Sequence, residues 1–207
     1  LVITIFTFLL FLFAGLTGKQ IGGWRAGTIA MLLMVLAPRI LGEAFNNPKD
    51  PPFAAGYMMA IFALIYYFEH LPKPTWKATV LLMLGIGLAF AIRVGGLLLY
   101  AYLGLFLLIA LLSNDEWKKK LFAFDFTYYR PLIISLLVVF FGSWIIGIIT
   151  WPAALKAPFT HPFYALQVQS TYPTVIRVLF GGEYIPSNEV PWNYNLTYIA
   201  YTTPVIT

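Results

Sequence analysis

A chain of 207 residues that is 60% hydrophobic and only 10% charged falls outside the soluble globular range, where about a quarter of residues carry charge. The net charge of +5 does not point to nucleic acid, because the basic residues sit in short stretches between long apolar runs, the pattern that fixes orientation in a membrane. Cysteine is absent, which excludes disulfides, thiolate metal sites and cysteine nucleophiles.

A helix needs about 20 apolar residues to cross the hydrocarbon layer. Leu1–Thr17 is close to that length and has neither a basic start nor a small-residue cleavage site, so it reads as a span rather than a signal peptide. Residues 26–45 form the second expected span. Arg39 and Glu43 near its end are four residues apart and share a helix face on which they can neutralise each other. Residues 51–68 form the third.

The apolar run 78–112 would measure roughly 50 Å as one helix, against a hydrocarbon layer of about 30 Å. Its middle holds Ile92-Arg93-Val94-Gly95-Gly96, where a charge is costly at the bilayer centre and paired glycines weaken a helix. Two spans, 78–92 and 96–112, are expected, with Arg93 in a tight turn at the surface. Residues 113–130 read as a polar loop whose Trp117, Tyr128 and Tyr129 suit the headgroup level, and 131–151 supplies another span. Residues 156–194 carry Pro158, Pro162, Pro173, Pro186 and Pro191 and form no regular span; short amphipathic helices are expected over 164–170 and 174–180. Residues 195–207 read as the start of a further span.

The expected fold is therefore all-α, a polytopic transmembrane helix bundle of about six spans over 1–155, with a long extracytoplasmic loop. With the first span running inward, Lys19, Arg25, Lys73, Lys77, Lys118, Lys119, Lys120 and Arg130 lie inside. Arg39, Lys49, Arg93, Lys156 and Arg177 lie outside. That bias favours this orientation.

The outer loops collect the unusual polar groups. Asp50, stiffened by Pro48, Pro51 and Pro52, fits an ordinary Asx turn paired with Lys49, or a carboxylate that binds a sugar hydroxyl, a cation or a phosphate-bound metal. Arg93 fits a clamp on a lipid phosphate or a snorkelling anchor. His161 beside Pro162 fits a proton carrier or a plain loop residue. Glu183 after Gly181-Gly182 fits a ligand contact or a solvated carboxylate. No phosphate-cradling glycine loop, zinc-type histidine pair or nucleophile elbow occurs in the sequence.

Three stretches taken together resemble bacterial GT-C glycosyltransferases, of the kind related to protein O-mannosyltransferases and the lipid A aminoarabinose transferase. They are Asn47-Pro48-Lys49-Asp50-Pro51-Pro52-Phe53-Ala54, then Gly85-Ile86-Gly87-Leu88-Ala89 leading to Arg93-Val94-Gly95-Gly96-Leu97-Leu98, and the segment from Gly182 to Tyr194 followed by Thr202-Thr203-Pro204. The resemblance implies an enzyme of the bacterial inner membrane. It would move a sugar from a polyprenyl-phosphate carrier to an acceptor hydroxyl on the periplasmic or extracellular side.

By this resemblance Asp50 takes the family's second outer acidic position, and Arg93 takes a basic position after the fifth span. The 161–189 loop helps shape the donor and acceptor pocket. The general base is expected in a loop upstream of Leu1, so the catalytic acid is unassigned here. A divalent cation is possible for the family. The competing expectation from another class is a transporter or lipid flippase, whose charges would sit near the bilayer midplane.

Overall fold

A computed structural model describes residues 1–123, 125–171 and 174–202. Helices α1 (Val2–Leu36), α3 (Asp50–Phe68) and α7 (Phe126–Ile149), and the segment Val94–Ser113 that contains α5 (Leu98–Ser113), are each long and apolar enough to cross a membrane. Helix α4 (Trp76–Ile92) is a shorter apolar helix. Large apolar side chains such as Leu32, Leu108, Leu137, Phe141 and Ile145 stand exposed on these helices. Their bare faces and their lengths are those of an integral membrane protein, in which lipid rather than water covers them.

Helix α1 is two arms. At Gly22-Gly23 the backbone leaves helical geometry, with Gly23 at φ 74° and ψ −172°, a region essentially confined to glycine. The chain doubles back there, and Gly15 and Gly18 of the first arm lie against Gly27 and Ala26 of the second. The first expected span thus extends past residue 17. The second, expected over 26–45, is interrupted at Ala37, which is extended (φ −74°, ψ 107°) because it precedes Pro38. Helix α2 (Pro38–Glu43) then sets off separately.

Helices α3 and α4 form the most extensive helix–helix contact, and small residues permit it. A Cβ on Gly56 would lie 2.7 Å from the Ala89 nitrogen, and one on Gly85 would lie 2.6 Å from the Ala60 nitrogen, so the two helices run antiparallel at near backbone contact. Helix α7 packs parallel to α4, with Gly142 against Met83 and Gly87 against Ile146. Buried hydroxyls tie the layers: Tyr67 donates to Ser135 at 2.9 Å, and Ser135 shares a hydrogen bond with Thr79 at 2.7 Å.

These directions sort the loops. Leu10 lines one groove with Ala54 and Met58 and the Phe13 ring is 5.7 Å from Phe62, so the first arm of α1 runs parallel to α3. One end of the bundle then carries Lys19, Arg25, Lys73, Lys77, Lys118, Lys119, Lys120 and Arg130. The other carries Arg39, Lys49 and Arg93. Helix α6 (Asp115–Phe122) lies at the lysine-rich end. There Trp117 and Tyr129 are buried against each other, and the Tyr129 hydroxyl donates to the Trp117 carbonyl. At that end the two rings are packed inward and form part of the core.

The long terminal segment holds α8 (Pro152–Lys156) and α9 (Thr160–Ser170). Helix α9 covers the expected 164–170 helix, but Phe163, Tyr164, Leu166 and Val168 are all exposed and do not form a single apolar stripe. The helix expected over 174–180 is instead a strand. β1 (Arg177–Phe180) pairs antiparallel with β2 (Glu183–Pro186). Gly181 and Gly182, at φ 63° and 91°, make the two-residue turn whose left-handed geometry closes such hairpins. Helix α10 (Tyr194–Thr202) covers the first part of the stretch expected to start a further span, and residues 203–207 lie outside the described residues.

Candidate functional site

The break expected within 78–112 occurs at Arg93. Helix α4 ends at Ile92, Arg93 is extended (φ −145°, ψ 141°), and a 3-10 turn over Val94–Leu97 leads into α5. Gly96 allows the turn to fold against the end of α4, since a side chain there would collide with the Phe90 backbone. The chain reversal sends the Arg93 side chain sideways toward the start of α3.

Helix α3 starts at Asp50 because Asn47 organises the turn before it. The Asn47 side-chain oxygen accepts from the backbone N–H groups of Lys49 (3.0 Å) and Asp50 (3.1 Å). Pro51 and Pro52 occupy the first helical turn, where a missing N–H costs nothing. The Asn47 amide nitrogen donates to Glu43 and, at 2.6 Å, to Asp50 Oδ2. One amide therefore holds two carboxylates side by side. The Asx turn expected around Asp50 is present, made by the Asn47 side chain, but the partner of Asp50 is Arg93 and not Lys49.

Asp50 Oδ1 accepts from Arg93 Nη2 in an ion pair that joins α3 to the α4–α5 turn. The guanidinium also lies 5.8 Å from the centre of the Phe53 ring, within cation–π range. The side chains of Arg93 and Asp50 remain 41% and 54% exposed. A pair so open to solvent contributes at most about 1 kcal/mol to folding, so its placement follows from the packing of α3 on α4 and does not cause it.

Two cavities flank this pair. Arg93, Lys49 and His161 line an open cavity of ≈ 1130 Å³, together with Phe90, Trp151, Tyr164 and Ile176. His161 is placed there by α9, its ring 6.4 Å from Trp151 and 6.1 Å from Tyr164. On the other side Asp50, Arg39 and Glu43 stand over a smaller groove of ≈ 520 Å³ whose remaining walls are almost wholly apolar.

Of the residues singled out from sequence, Asp50 and Arg93 touch and His161 shares a cavity with Arg93. Glu183 stands apart. It is exposed at the hairpin tip, about 13 Å along the strand from Ile176 at ~3.3 Å per residue, and lines neither cavity. The pairing expected of Arg39 with Glu43 is corrected: Glu43 is held by Asn47, and Arg39 has no ion-pair partner among the described residues. Sequence reasoning missed Asn47 as the organiser, although an Asn three residues before a proline-led helix start is its signal. Among the described residues no group of three His, Asp or Glu side chains is arranged to hold a metal ion. Comparison with protein-family models, curated proteins and solved structures finds no match.

Proposed function

We propose that the chain forms part of a membrane glycosyltransferase that moves a sugar from a polyprenyl-phosphate-linked donor to an acceptor hydroxyl on the extracytoplasmic side. One observation carries the reading: the turn at Arg93 brings a guanidinium onto the Asp50 carboxylate, beside a cavity of ≈ 1130 Å³ that also holds Lys49 and His161. This volume lies just above the usual range of small-molecule sites, about 300–1,000 Å³. Its location at the ends of apolar helices suits a substrate with a hydrocarbon tail and a polar head.

The chemistry matches these groups. The acceptor oxygen attacks the anomeric carbon, the bond from that carbon to the phosphate oxygen breaks, and the polyprenyl phosphate leaves with the bonding electrons. Arg93, with Lys49 nearby, stabilises the charge that develops on the departing phosphate. The acceptor proton passes to a carboxylate. Asp50, engaged by both Asn47 and Arg93, serves in this reading to orient the guanidinium and the sugar, and the proton acceptor is left unassigned. A bound divalent cation is compatible with the Asp50–Glu43 neighbourhood but is not needed for these roles.

The transporter or flippase alternative calls for ionisable groups deep in the bundle. Among the described residues the buried polar side chains are Thr7, Thr17, Thr79, Ser135 and Ser143, all hydroxyls, which supports the surface-site reading. The test is sugar transfer from a radiolabelled polyprenyl-phosphate donor by membranes that contain the full-length protein. Arg93→Gln and Asp50→Asn should each lower transfer by at least about 100-fold, the scale of losing one charge-stabilising donor, with insertion unchanged. Undiminished transfer in both variants would overturn the proposal.

A further inference from the structure

The groove of ≈ 520 Å³ on the far side of Asp50 shares only that carboxylate and Glu43 with the roles discussed above, and its charges are arranged in an unusual way. Leu10 and Met34 of α1, Ile40 of α2, and Phe53 and Met58 of α3 make apolar walls. Exposed Leu36 and Leu41 extend the apolar surface around α2. At the rim, Arg39 and Glu43 lie one helical turn apart on α2 and both line the groove, yet they do not close into an ion pair. Opposite charges at this spacing ordinarily attract. Here a gap is held open between them, because the Asn47 amide draws Glu43 toward the α3 start and leaves the guanidinium without an ion-pair partner among the described residues. Asp50 adds no free charge, since Arg93 occupies it.

We infer that this groove binds a zwitterionic glycerophospholipid with an ethanolamine headgroup. Arg39 takes its phosphate, Glu43 takes its ammonium, and the apolar walls take its acyl chains. A guanidinium grips phosphate oxygens through paired N–H donors. A primary ammonium offers three N–H donors to a carboxylate, whereas a quaternary choline nitrogen offers none. In this headgroup two carbons join phosphate and nitrogen, which matches side chains whose Cβ atoms are about 5–6 Å apart one turn along a helix. An anionic glycerol headgroup would satisfy Arg39 but would offer Glu43 no cationic partner. The site stands whether or not the chain transfers sugar.

Native mass spectrometry of the full chain released from detergent micelles tests the inference, with phosphatidylethanolamine, phosphatidylcholine and phosphatidylglycerol of identical acyl chains supplied in equal amounts. Phosphatidylethanolamine should be retained about fivefold or more over each of the others, a preference worth about 1 kcal/mol. Glu43→Gln should remove that preference, Arg39→Gln should lower retention of all three lipids because it takes away the contact to their shared phosphate, and Arg39→Lys should restore part of that retention. Helix content by circular dichroism checks that the variants fold. If a variant is lost, Ala54→Leu, which narrows the groove without touching its charges, should reduce retention of all three lipids. Equal retention of the three by the unaltered chain, stronger retention of phosphatidylglycerol, a preference that survives Glu43→Gln, or retention unchanged by Arg39→Gln would each overturn the assignment.

Discussion

Replacing Gly85 by alanine perturbs the contact on which the whole site rests. An added Cβ would meet the Ala60 nitrogen at 2.6 Å, the Ala60 Cα at 2.7 Å and the Met59 carbonyl carbon at 3.0 Å. These are backbone atoms of α3 and cannot rotate away. Ordinary van der Waals contact begins at 3.4 Å, so α3 and α4 must part locally by roughly 0.8 Å. A gap of 0.5–1 Å forfeits about a quarter to a half of each affected dispersion contact, and overpacking of this kind typically costs about 1–3 kcal/mol. That shifts the folded-to-unfolded ratio by roughly 5- to 150-fold. Gly104→Ala is the control. Nothing lies within 4 Å of its added Cβ, so it should be neutral, or stabilising by up to about 1 kcal/mol through helix propensity. The assay is unfolding of the full chain in mixed micelles by increasing dodecyl sulfate, followed by circular dichroism. Equal midpoints for Gly85→Ala and Gly104→Ala would refute the claim that backbone-close packing holds α3 on α4.

Ser135→Ala should destabilise the bundle by about 0.6–1.7 kcal/mol, the span found for hydrogen bonds between membrane helices, because Tyr67 loses its acceptor; the same sulfate titration reads it, and Val139→Ala elsewhere on α7 gives a packing comparison. At the lysine-rich end, the hydrogen bond from Lys120 (3.1 Å) holds the Asp125 carboxyl below its usual value, and that same bond raises Lys120. A lowered carboxyl contributes stability that is complete above its unfolded value and is lost as pH falls through the folded one; a raised ammonium contributes below its unfolded value and loses it as pH climbs past the folded one. Protection of the Tyr128 amide, which donates to Asp125 Oδ1, should therefore stay level between about pH 5 and 9 and fall on the acid side below the ordinary aspartate range. Hydrogen exchange measures this, and Asp125→Ala should abolish the acid limb.

Much of the architecture was legible because length and charge constrain membrane helices strongly. The 78–112 run was too long for one crossing and carried Arg93 at its middle, and that conflict located the break that positions the site. Asp50 at the start of α3 followed from the prolines around it. What stayed hidden depended on direction rather than pattern. Arg39 and Glu43 have the spacing of a pair, but the reach of Asn47 to Glu43 depends on how the chain turns between α2 and α3. Trp117 and Tyr129 have the composition of a headgroup belt, yet the short α6 folds them onto each other. The hairpin at 177–186 did carry a signal, since Gly181-Gly182 separates two short runs rich in aliphatic and aromatic residues. Proline density in the surrounding segment drew the reading toward short helices instead.

The contact between Asp50 and Arg93 is open to direct measurement because the chain has no cysteine of its own. In the double variant Asp50→Cys/Arg93→Cys, the account predicts rapid linking in native membranes by a thiol reagent with a two-carbon bridge, while Glu183→Cys/Arg93→Cys stays unlinked. No link between positions 50 and 93, or linking equal to that of the 183–93 control, would contradict the arrangement.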